Sequence, residues 1–133
     1  MRFIFITLLA GFSYADNFYK LGLGSCVDYD YPIPAWDSLE QESINSFFFL
    51  GDNIYGDVPS GKLDSVKISY KNMNEKMPEW LQKTEKLVIW DDHDYGLNDG
   101  GGSYLYKAES QEIYNNAWRI NQNDLRRSRE GIY

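Results

Sequence analysis

Residues 47–55 read FFFLGDNIY and residues 87–95 read LVIWDDHDY. Each begins with four consecutive apolar residues and then turns polar, through Asp52 in the first and Asp91, Asp92 and Asp94 in the second. An apolar run that short, with no alternation, is how a strand buried on both faces reads. A weaker run of the same kind, YKLGL at residues 19–23, stops at Gly24-Ser25-Cys26. Polar stretches of helical character separate the runs. Residues 34–46 carry Trp36, Leu39 and Ile44 behind an initial proline. Residues 62–77 carry Leu63, Val66, Ile68, Tyr70 and Met73. Pro78 opens a further helical stretch over residues 79–86, and an amphipathic helix is expected over residues 106–121. Strand and helix therefore alternate, which predicts an α/β layer with right-handed crossovers and largely parallel strands.

In a sheet of that kind, ligands bind at the carboxyl ends of the strands. The loops expected there are Gly24-Ser25-Cys26, then Gly51 to Asp57 (GDNIYGD), then Asp91-Asp92-His93-Asp94. They bring a thiol, a carboxylate with a phenol, and carboxylates with an imidazole to one rim. Taken singly, each has a plain alternative. Cys26 reads equally as a small buried apolar residue, Asp52 as a turn acid and Tyr55 as a core aromatic. The acidic loop is harder to dismiss, because three carboxylates within four residues repel one another unless a cation, a proton or solvent relieves them. His93 has the one side chain suited to proton transfer near neutral pH, or it simply hydrogen-bonds the acids beside it. Asn98, Asp99 and the glycines that follow read as a turn.

Composition narrows the classes. The chain has 133 residues, one domain or part of one, with 43% hydrophobic and 17% aromatic residues, enough for a core. Thirteen basic residues against twenty acidic give a net charge of −7, which argues against nucleic acid or an anionic membrane as a partner. A single cysteine excludes an internal disulfide framework, and a single histidine excludes sites needing two or three imidazoles. Any metal here leans on carboxylates, amides, tyrosine or cysteine. At the start, Met1-Arg2 precedes the apolar run FIFITLLA at residues 3–10 and the small residues Ser13 and Ala15. This predicts a signal peptide over residues 1–15, with a secreted or secretory-lumen location for residues 16–133. A buried first strand is the alternative. The run is too short to span a bilayer.

Gly24-Ser25-Cys26, Gly51-Asp52-Asn53-Ile54-Tyr55 and Trp90-Asp91-Asp92-His93-Asp94-Tyr95-Gly96-Leu97-Asn98-Asp99, in that order and spacing, resemble the N-terminal half of the PhoD-like phosphatases, the alkaline phosphatase D branch of the calcineurin-like metallophosphoesterases. Pro34-Ala35-Trp36, Ser110-Gln111 and Arg126-Arg127 through Gly131-Ile132-Tyr133 add to the likeness. The resemblance implies half of an αββα sandwich, hydrolysis of phosphate mono- or diesters by metal-activated water, and a cluster of iron and calcium. It implies Cys26 as a thiolate ligand, Asp52 as a ligand bridging two metals, Tyr55 as a phenolate ligand, and Asp92 where related enzymes place an asparagine ligand. His93 would contact phosphate or protonate the leaving oxygen. Asp91, Asp94, Asn53 and Asn98 are candidates to support those ligands. Family members run to more than twice this length, so the resemblance also implies a missing C-terminal half, which a complementary chain would supply, and little activity from this chain alone. A non-catalytic, secreted calcium-binding module built on residues 91–94 is the rival expectation.

Overall fold

A computed structural model describes residues 18–131 of the chain. The signal-peptide reading of residues 1–15 lies outside them. The elements run β1 (Leu21–Gly24), α1 (Ala35–Gln41), β2 (Ser46–Leu50), α2 (Asp64–Lys76), α3 (Glu79–Lys83), β3 (Glu85–Ile89), α4 (Asp92–Tyr95) and α5 (Lys107–Ala117), closed by a 3₁₀ turn at Leu125–Arg127. The three strands form one parallel sheet in the order β1-β2-β3, with Gly22 opposite Phe47 and Phe49 opposite Val88. The mixed α/β class and the parallel pairing expected from the alternation are both present. Among the described residues no helix is long and apolar enough to cross a membrane.

The helices form where apolar residues recur at helical spacing. In α2, Val66, Tyr70 and Met73 fall on one stripe and are all buried, and Pro78 follows the helix end. Trp36 of α1 meets Phe47 edge to face with ring centres 5.6 Å apart, and Trp118, just past α5, lies 4.9 Å from Phe49. All of this packing reaches one face of the sheet, the face of Phe47, Phe49 and Val88.

The other face differs from expectation. Both apolar runs read as strands buried on two sides, yet Leu21, Leu23, Leu50 and Leu87 are 47%, 60%, 40% and 46% exposed. The physical reason is topological. Strands added in the order β1-β2-β3 through right-handed crossovers step the same way each time, so their helices fall on the same side. Side chains alternate along each strand, and the set facing away from the helices is left bare among the described residues.

Two boundaries also move. Trp90 lies beyond the end of β3, and the acidic stretch read as a loop contains the short helix α4. Asp91 caps that helix by accepting from the Asp92 amide, and the Asp94 carboxylate reaches back to the Asp91 amide at 3.1 Å. Gly96, at φ +99°, closes the turn. This is a capping box, and acids in a first helical turn also meet the positive end of the helix dipole.

Candidate metal centre

Cys26, Asp52 and Asp92 sit just past the ends of β1, β2 and β3, at the same rim. The ladder between β1 and β2 continues beyond the strands, with the Cys26 amide donating to the Gly51 carbonyl at 3.2 Å and the Val27 amide to the Asp52 carbonyl at 2.8 Å. That continuation carries the Cys26 side chain to Asp52, with Sγ 3.7 Å from Oδ2. Tyr55 donates to the same oxygen, at 3.4 Å.

On the β3 side, Gly51 makes the approach possible. Its φ is +97°, and a Cβ built there would fall 2.7 Å from the Asp91 Cβ. Only glycine accepts both the backbone angle and the contact. With that gap closed, one oxygen each of Asp52 and Asp92 and one ring nitrogen of His93 lie within 4.8 Å of one another. Five side chains from three loops, Cys26, Asp52, Tyr55, Asp92 and His93, thus share one small region.

Two details mark Asp52 as its centre. Its Oδ1 is buried with no hydrogen-bond partner among the described residues, although buried carboxylate oxygens are normally satisfied. Asp52 and Cys26 also both hold left-handed backbone, at φ +50° and +58°. Non-glycine residues adopt that region at a cost, and such residues gather at functional sites. A cation would satisfy the orphaned oxygen and relieve the proximity of two carboxylates. The thiol and phenol suit a transition metal and the carboxylates a harder ion, so the donor set fits a metal without fixing which one.

His93 is held by a residue not singled out from the sequence. Its Nδ1 lies 2.5 Å from Asp57 Oδ1, and its ring is tilted 45° to that of Tyr55 with centres 4.5 Å apart. Burial works against its charge, but the Asp57 hydrogen bond and charge, with Asp52 and Asp92 behind them, outweigh burial and raise its pKa above the ordinary histidine value. Because Nδ1 is engaged, Nε2 is the nitrogen turned to other partners. Asp57 closes the same loop as Asp52 and Tyr55. Its sign was visible as a further acid at the rim, but nothing in the spacing paired it with an imidazole 36 residues away.

The four candidate supporting residues behave differently from one another. Asp94 is fully buried and is a staple between loops. It accepts from the Asn53 amide at 3.1 Å, Asn53 Nδ2 at 3.2 Å, the Asp91 amide at 3.1 Å and the Tyr70 hydroxyl at 3.2 Å. Asn53 completes the staple by donating to the Ile89 carbonyl at 2.8 Å. Burial pushes the Asp94 carboxyl up to about 7, against the pull of those donors. Asp91 is a helix cap. Asn98 is exposed and donates to Asp99, in the turn the sequence suggested, away from the cluster. The acids of residues 91–94 therefore do not pool around one point. Hydrogen bonding answers most of their mutual repulsion, including the Asp99 amide donating to Asp92 Oδ2 at 2.6 Å.

Tyr55 is raised above the ordinary phenol value by burial first, then by its hydrogen bonding with Cys26 and the charge of Asp52. The protein alone keeps that phenol protonated, and a nearby cation is what would reverse it. Compared with known protein families, with curated proteins and with solved structures, the chain finds no match.

Proposed function

We propose that this rim is the metal-binding edge of a phosphoesterase centre of the PhoD-like kind, acting on phosphate mono- or diesters in a secreted protein. The observation that carries the reading is Asp52, a half-buried carboxylate whose buried Oδ1 is orphaned, flanked by a thiol, a phenol, a second carboxylate and an imidazole drawn from three loops. Asp52, Asp92, Cys26 and Tyr55 would hold the ion, with iron and calcium the ions the resemblance favours. When bound, such an ion acidifies a water and neutralises phosphoryl charge, which lets an acidic protein accept a phosphate ester.

The remaining work falls to the chain itself. Asp57 fixes the His93 ring and favours its protonated form, so Nε2 is oriented to give a proton to the departing ester oxygen. Asp94 and Asn53 hold the two loops in register, which keeps Asp52 and Asp92 at a fixed separation. Among the described residues, the converging donors make one ion site. A second ion would need ligands from elsewhere.

The calcium-module reading requires the acids of residues 91–94 to converge, and the capping geometry gives it no support. The test is metal-dependent hydrolysis of p-nitrophenyl phosphate by the purified chain. Activity that appears with metal, vanishes in Asp52→Asn and falls about 10²–10⁴-fold in His93→Ala with metal content kept supports the reading. Activity indifferent to both substitutions ends it.

A further inference from the structure

Beside the cluster, between the α4 loop and α5, lies an open cavity of about 470 Å³ whose lining includes Asp92. Inorganic phosphate needs far less room, and the volume falls in the range of sites for whole organic ligands, roughly 300–1,000 Å³. Its walls are mostly apolar. The Trp90 and Tyr95 rings stand edge to face with centres 5.3 Å apart on one side. On another runs the glycine segment, where a Cβ added at Gly101 or Gly102 would meet nothing within 4 Å, so no side chain fills the mouth. The one lysine of the lining, Lys107, is paired with Glu130 at 3.4 Å. With that pair neutralised, Asp91 and Asp92 leave the cavity acidic, which disfavours further negative charge on whatever enters it.

We infer that this cavity receives the uncharged, flat aromatic group of a phosphate ester whose phosphoryl end lies at Asp92. The inference rests on the phosphoesterase reading and names its substrate class. Aromatic walls bind a ring by area and by edge-to-face contact, and an open glycine mouth admits a rigid, planar group without rearrangement. A short alkyl ester would leave the walls wet.

The test compares phenylphosphonate with methylphosphonate, neither of which can be hydrolysed as an ester, by titration calorimetry on the full chain with and without added Mn²⁺. The ring should improve affinity about ten-fold or more, from the apolar area it removes from water. Ala108→Trp, an exposed position of α5 that lines the cavity, should abolish that preference and leave the affinity for methylphosphonate unchanged. Gly101→Phe is the second filling variant, placed in open space in case the helix substitution perturbs folding. Equal affinities for the two phosphonates, no binding of phenylphosphonate, or a ring preference that survives both filled variants overturns the inference. A ring preference that is lost on filling, in a protein that neither keeps metal nor hydrolyses p-nitrophenyl phosphate, upholds the cavity as an aromatic site while the catalytic reading fails.

Discussion

The same three strands build two very different regions. At their carboxyl ends, loops are tied to one another by buried polar contacts centred on Asp94, and a glycine is required for their closest approach. On the face away from the helices, Leu21, Leu23, Leu50 and Leu87 stand in solvent with little packed on them. The contrast separates what holds the chain in shape from what it presents. Position at the rim is over-determined, residue by residue. The bare face fixes nothing beyond the strands themselves, and substitutions there should be felt weakly.

The largest effect is expected at the staple. Asp94→Ala leaves the Asn53 amide, Asn53 Nδ2, the Asp91 amide and the Tyr70 hydroxyl without their acceptor, and unsatisfied buried donors cost about 1–3 kcal/mol each before relaxation. A loss of about 3–5 kcal/mol in urea unfolding is expected. A loss below about 1 kcal/mol would show that the rim is not held as described.

Gly51→Ala comes next. The new methyl meets Asp91 and the backbone stays in the left-handed region, so about 1–3 kcal/mol should be lost, together with metal affinity. Retention of full metal affinity in that variant would contradict the close approach of the two loops.

Asp94 also imposes a pH dependence. Its carboxyl is raised from 3.8 to about 7 in the folded, metal-free protein, so between those values the folded state holds a proton that the unfolded chain has released. The contribution of this group to stability is therefore fully present below about pH 4 and is lost as pH rises toward about 7. Urea titrations of chelator-treated protein across that window should show the decline, and Asp94→Asn should flatten it. A stability that instead rises through the window would mean that Asp94 is charged throughout.

The smallest effect belongs to the bare face. Leu87→Lys should change stability by no more than about 0.5 kcal/mol, because a side chain already 46% exposed has little burial to lose. A cost of several kcal/mol would mean that something covers this face in solution.

The places of the three strands and the rim were legible from FFFL, LVIW and YKLGL, because short apolar runs closed by glycine or acids leave few other structures. So was the convergence of Cys26, Asp52, Tyr55, Asp92 and His93, since parallel strands put their following loops together. What the residues did not disclose depends on through-space pairing. An apolar run looks the same whether one face or two is covered, so the runs by themselves do not disclose the bare leucines. The acids at 91, 92 and 94 look alike in sequence, yet one is a cap, one faces the cluster and one is buried as a staple. Asp57 gave no local sign of its histidine. The cavity beside Trp90 comes from the way the glycine segment, α5 and Glu130 meet around it, which no periodicity encodes.

The central claim is that Cys26, Asp52, Tyr55 and Asp92 hold a metal ion beside His93. It is tested most directly by loading the full chain with iron, dialysing it, and measuring retained metal and visible absorption in the wild type, Asp52→Asn and Tyr55→Phe. The account predicts about one ion kept per chain, a charge-transfer band that shifts or disappears in Tyr55→Phe, and loss of the ion in Asp52→Asn. Protein that emerges colourless and metal-free, or that holds iron equally well without the Asp52 carboxylate, would contradict it.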